Sequence, residues 1–266
     1  MKVYVMVDIE GISGIYHVDQ TIKGRDRFDE GRRFLTADVN ACVAGLKEAG
    51  VDEIHVCDCH DSSYSLIWDE ASADVDYYIS GYIPTGRYHT IDECDAVILL
   101  GYHAMSGTQG AVLRHSYSGG EIQNMYMNGT RIGEIAYDAA IAGEHNKPVI
   151  MVSGDDKAVA EAKEFLPNVV TACVKKGMSF GGAMLMPAEK AHKLIYEKTI
   201  EAVKNFENCK PFTFKKPLEC KLEVTTRITL NNMACDDYMK IIDGQTLLVT
   251  GDTAEEILNR AFRNLR

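Results

Sequence analysis

The chain has 266 residues, 46% hydrophobic and 25% charged, an ordinary globular composition whose core needs no disulfide or structural metal. Its 28 Lys and Arg face 39 Asp and Glu, a formal charge of −11 with no basic block, so nucleic acid and anionic membranes are poor partners. No apolar run approaches the roughly 18–20 residues of a membrane span. The opening apolar run meets Asp8 too soon for a signal peptide, which leaves a cytoplasmic location as the expectation. The eight cysteines are scattered without a CxxC pair and read as small buried hydrophobes.

Residues 3–7, 54–57, 96–100 and 149–152 are continuous or nearly continuous apolar runs, as expected of strands covered on both faces. Between the first two, Phe34, Val39, Cys42, Val43 and Leu46 share one face of a helix predicted over 30–49, which Gly50 stops. Strand, helix and strand at this spacing read as a right-handed parallel crossover. Asn128-Gly129, flanked by apolar residues, predicts a hairpin over 125–132. A helix follows over 133–144, then a strand, a helix over 156–165 and a strand over 169–174. Pro187 opens a helix to about residue 205, since proline is tolerated in a first turn. Strands are expected over 218–225 and 247–250, and a closing helix over 254–262. The reading is α/β: a mainly parallel sheet flanked by helices, with a catalytic metal-binding domain over 1–180 and a smaller α+β portion over 181–266.

Polar residues collect directly after these strands. Asp8 and Glu10 follow the first, Asp58 and His60 the second, His103 the third, and Asp155 and Asp156 the fourth. In an open parallel sheet the carboxyl ends of the strands share one edge, where ligands bind. Carboxylates and imidazoles placed there supply the oxygen and nitrogen donors that zinc accepts. Taken singly, each has a plainer reading: an acid after a strand caps a helix, and a lone histidine lies in a turn. Asp8 and Glu10 point the same way if the strand continues through them, and a shared cation would relieve their repulsion. A nucleotide-binding reading suits the fold but lacks a GxGxxG loop or Walker lysine. Arg114-His115-Ser116 lies in a loop of small residues. No GxSxG elbow accompanies it, so His115 is read either as a general acid/base or as a surface histidine.

These residues resemble a known family. Val7-Asp8-Ile9-Glu10-Gly11 looks like the SxDxEG signature of the zinc-dependent D-aminopeptidases of bacterial dipeptide-transport operons, with Met6 in place of the serine. The likeness continues through Asp58-Cys59-His60-Asp61, Gly101-Tyr102-His103-Ala104, His115-Ser116, Gly133-Glu134 and Ser153-Gly154-Asp155-Asp156, and covers about residues 1–205. It implies two zinc ions per subunit held by Asp8, Glu10, His60, His103 and Glu134, with Asp8 between them and His115 as the catalytic residue. It also implies short peptide substrates and a homo-oligomer, a decamer. Of the five implied ligands, Glu134 is the one that strand-end spacing does not pick out. The resemblance leaves open a two-metal hydrolase of L-peptides or other small amides, and a non-catalytic metal- or peptide-binding protein. A substrate α-amine would meet a metal ion or a carboxylate such as Asp155 or Asp156.

Overall fold

The computed structural model describes residues 1–61, 63–81, 83, 86–226, 230 and 235–263. β1 (Lys2–Val7) leads through α1 (Phe28–Glu48) to β2 (Glu53–Asp58), which lies parallel to it as the crossover reading requires. After β3 (Tyr77–Ile79) and β4 (Ala96–Tyr102) comes the hairpin of β5 (Ile122–Met127) and β6 (Thr130–Ile132). It turns at Asn128 and Gly129, both with positive φ, as the Asn-Gly pair predicts. Then follow α2 (Glu134–Glu144), β7 (Val149–Asp155), α3 (Asp156–Phe165), β8 (Val170–Ser179), β9 (Gly182–Leu185) and α4 (Ala188–Lys204). The chain closes with β10 (Leu218–Val224), β11 (Met239–Asp243), β12 (Thr246–Gly251) and α5 (Ala254–Arg263).

The main sheet has the order β3-β2-β1-β4-β7-β8-β9, parallel throughout except for β9, which returns against β8. A second, antiparallel sheet runs β11-β12-β10-β5-β6. It is built from two distant stretches of chain, because β10 pairs with β5 along one side and β12 along the other. The fold class is therefore the expected one: a mostly parallel sheet with helices and an added antiparallel layer. The short strands β3, β9 and β11 are additional to those read from the sequence.

Alternation along β1 shows how the layers meet. Val3, Val5 and Val7 face a core with Leu35, Val39, Cys42, Val43 and Leu46 of α1 and with Ala191 and Ile195 of α4. Tyr4 and Met6 face the opposite core, shared with Ile135 and Ala139 of α2, Met125, Leu222 and Leu247 of the second sheet, and Ile257 of α5. Both faces of the central strands are thus buried, which is why they read as unbroken apolar runs. Among the described residues no helix is long and apolar enough to cross a membrane.

Candidate metal centre

The order β2-β1-β4 sets three strand ends side by side. His60 follows β2, Asp8 and Glu10 follow β1, and His103 follows β4. The ladder runs on briefly past β1, since the Asp8 amide donates to the Leu100 carbonyl at 2.9 Å and the Gly11 amide to the Gly101 carbonyl at 2.7 Å. The extended strand does not continue through Glu10. A turn closed by the Ile12 amide on the Ile9 carbonyl at 3.1 Å carries Glu10 round instead. Both carboxylates still reach one place: His60 Nδ1 lies 3.1 Å from Asp8 Oδ1 and 3.2 Å from Glu10 Oε2. Glu134 enters from the second layer as the first residue of α2, directly after β6 and Gly133. Its Oε1 lies 3.1 Å from His103 Nε2, while His103 Nε2 is 3.4 Å from Asp8 Oδ2.

Backbone carbonyls decide which imidazole nitrogens face this space. His60 Nε2 is 2.9 Å from the Thr21 carbonyl, and His103 Nδ1 is 3.0 Å from the Ala104 carbonyl. A carbonyl only accepts, so those nitrogens carry hydrogens, and His60 Nδ1 and His103 Nε2 are the ones presented to the carboxylates. His115 follows the same rule, with Nδ1 2.8 Å from the Leu113 carbonyl and Nε2 3.7 Å from Glu134 Oε1.

Whether the set suits a metal can be tested on its buried atoms. Asp8 Oδ2, Glu10 Oε2 and His103 Nε2 are all buried without a hydrogen-bond partner. Orphaned polar atoms of this kind are costly and call for an ion or water. Donor atoms of Asp8, Glu10 and His103 lie within 4.8 Å of one another, and so do those of His103, His115 and Glu134. The imidazoles and carboxylates of the site shift one another's pKa values. Burial alone would lower the His103 pKa, but the Glu134 and Asp8 carboxylates outweigh it and raise it to about 10. Burial likewise opposes ionisation of Glu134, yet the His103 and His115 rings bring it down to about 2. His60 is raised in the same way, with Glu10 and Asp8 overcoming desolvation. The donor set and its buried atoms without hydrogen bonds fit a divalent cation.

Three acids with the same strand-end placement do other work. Asp58 accepts the Ser65 and Leu66 amides at 2.6 and 3.1 Å, tying down the loop that carries His60. Asp155 caps α3 through the Lys157 and Ala158 amides at 3.0 and 2.8 Å, and holds the Val112 amide at 2.8 Å. Asp156 pairs with Lys157 and accepts the Gly177 amide at 2.8 Å. Asp155 and Asp156, the carboxylates offered for a substrate amine, thus also hold backbone amides in place.

Sequence reasoning missed the polar layer beneath Glu134. Arg87 donates from Nε and Nη2 to both carboxylate oxygens of Asp138, at 2.6 and 2.8 Å, and its Nη2 is 3.8 Å from Glu134 Oε2. Tyr102 and Tyr117 donate their hydroxyls to Asp138 at 2.5 and 3.1 Å, and the Tyr117 amide donates to Glu134 Oε1 at 2.7 Å. The one available signal was that Asp138 lies a helical turn beyond Glu134, on the same face.

Carboxylates and imidazoles that converge at the carboxyl edge of a parallel sheet, around buried atoms without hydrogen bonds, make a site of the kind metal-dependent enzymes use. The chain matches the family model of the M55 peptidases, described as D-aminopeptidase, over residues 1–262, and it belongs to that family. It is therefore a peptidase. It is 35% identical over 214 residues to a D-aminopeptidase of Bacillus subtilis (strain 168), covering 80% of this chain and 77% of the relative. It superposes with a TM-score of 0.92 and 30% identity on the Zn-dependent D-aminopeptidase DppA from Bacillus subtilis, described as a self-compartmentalizing protease, over 98% of this chain and 96% of that one.

Proposed function

We propose that this peptidase removes the N-terminal residue, of D configuration, from short peptides, with two zinc ions per subunit. Asp8, Glu10, His60, His103 and Glu134 would hold them. The observation that carries the reading is the trio of buried atoms without a hydrogen bond, Asp8 Oδ2, Glu10 Oε2 and His103 Nε2. The D preference is taken from the two relatives described above. When bound, zinc supplies Lewis-acid polarisation of the peptide carbonyl and lowers the pKa of water toward about 7.

The chain's own groups do the rest. His115 keeps its hydrogen on Nδ1 against the Leu113 carbonyl, so Nε2 is free to take a proton from the attacking water. The same nitrogen then returns that proton to the departing amine. His103, stacked on the His115 ring, restricts its tilt. The Tyr117 amide fixes one oxygen of Glu134, and Arg87 stands near the other. We place the enzyme in a homo-oligomer, the decamer that the resemblance implies. Met178, Phe180, Met184 and Leu185 along β8 and β9 are exposed, and association of copies would cover such apolar surface.

The test is side-by-side incubation of zinc-loaded protein with D-Ala-D-Ala and L-Ala-L-Ala, a chelated control, and quantification of released alanine. Chelator-sensitive cleavage favouring the D-dipeptide supports the proposal. Preference for the L-dipeptide overturns the stereochemical part, and cleavage that survives chelation overturns the metal part.

A further inference from the structure

The segment after β1 carries two of the proposed ligands yet belongs to no helix or strand between Asp8 and Ile15. Two buried charges from other elements grip it. Lys175 on β8 is 2% exposed. Its ammonium donates to the carbonyls of Glu10, Ile12 and Ile15 at 2.6, 2.8 and 2.7 Å, which occupies all three of its hydrogens. Asp38 on α1 is 0% exposed. It accepts the backbone amide of Ser13 at 2.8 Å and the Ser13 hydroxyl at 2.6 Å. A cation thus collects the loop's carbonyls while an anion collects its N–H and O–H.

A buried ammonium is costly to keep charged, and packing alone would be served as well by an apolar side chain. What Lys175 provides is a fixed position for the backbone of Glu10, whose carboxylate Oε2 lies 3.2 Å from His60 Nδ1. We infer that Lys175, together with Asp38, presets the Asp8–Glu10 loop so that its carboxylates stand in ligand geometry before the metal arrives. Lys175 is a positioning residue acting through the Glu10 carbonyl, and the inference rests on the reading of Asp8 and Glu10 as metal ligands.

The sign of the effect separates positioning from charge. Removing a nearby positive charge would by itself strengthen cation binding. Loss of preset geometry weakens it, and removing partners of this kind typically costs about 10–100-fold in metal affinity.

The experiment titrates the metal-stripped full chain with zinc against a competing chelator, and with Co(II) followed by visible absorption, for the wild type and Lys175→Met. The expected result is a wild type that takes two ions. In Lys175→Met the ion on the Glu10 side should weaken by about 10–100-fold with a changed Co(II) spectrum, while the ion at His103 and Glu134 is kept. Unchanged or tighter binding with an unchanged spectrum overturns the inference, as does equal weakening of both ions. Should Lys175→Met fail to fold, Ser13→Ala removes only the hydroxyl bond to Asp38. It should weaken the same ion selectively and speed hydrogen exchange across residues 8–15 of the metal-free chain, and an unaltered Ser13→Ala overturns the inference. A wild type that takes up no zinc sinks the metal reading itself, whereas two ions bound equally by wild type and variant sink only the role of Lys175.

Discussion

The rings of His103 and His115 stack, with centroids 3.9 Å apart and planes 15° from parallel, and the Nε2 atom of each faces Glu134 Oε1. Each ring is keyed by its Nδ1 to a carbonyl, of Ala104 and Leu113 respectively. Under the proposed function one imidazole would ligate and its neighbour would move a proton, from a shared orientation.

That division of labour predicts how His115→Gln behaves. Peptide cleavage should fall by about 10²–10⁴-fold, the usual contribution of a general acid or base. Zinc content measured by elemental analysis should stay at the wild-type level. Loss of one equivalent of zinc would make His115 a ligand instead.

Protonation of the metal-free site predicts a stability optimum on the acid side of neutral. Glu134 falls from 4.5 to about 2, so its contribution is complete above 4.5 and lost as the pH drops toward 2. His103 rises from 6.5 to about 10, so its contribution is complete below 6.5 and lost as the pH climbs toward 10. Both are present together between 4.5 and 6.5, where the metal-free Tm should peak. In the proposed site zinc would take the place of the proton on His103, so loading should move the optimum upward. A metal-free Tm that holds level from about 6.5 to about 10 would count against the ion pair.

Gly11 is required by a close approach of backbone to backbone. A Cβ there would stand 2.0 Å from the Tyr102 carbonyl oxygen and 2.5 Å from the Gly101 carbonyl carbon. Gly11→Ala should cost about 1–3 kcal/mol through overpacking. It should also lose zinc affinity, because the displaced segment carries Glu10. Thermal unfolding and zinc titration read the two effects, and a variant with wild-type values for both would show that the segment can shift at no cost.

The buried pair of Arg87 and Asp138 predicts an asymmetric mutant cycle. Asp138→Ala leaves the guanidinium uncompensated beneath Glu134 and should destabilise by about 3–5 kcal/mol in urea unfolding. Arg87→Met combined with Asp138→Leu removes both charges and should be less destabilised than Asp138→Ala alone. A double variant as unstable as the sum of the singles would mean that the two side chains act independently.

The main sheet was legible because its central strands are buried on both faces, so β1, β2, β4 and β7 announce themselves as apolar runs. Their parallel order then brings His60, Asp8 with Glu10, and His103 to one edge, which spacing alone anticipates. Strand-end placement could not separate Asp8 from Asp58 or Asp155. The first keeps a carboxylate oxygen without a partner, while the others are saturated by amides that the fold brings to them.

The sequence by itself determined the layer of alternating strands and helices and the local chemistry of its loops, since both depend on neighbours close along the chain. Only the tertiary structure decided the second sheet, where Leu222 of β10 pairs with Met125 of β5. It also decided the place of Glu134, which follows that sheet's last strand and reaches the metal edge from above, and the meeting of Arg87 with Asp138 below it. Antiparallel pairing and buried ion pairs form here between segments far apart along the chain, so their registers are settled by packing and desolvation in three dimensions.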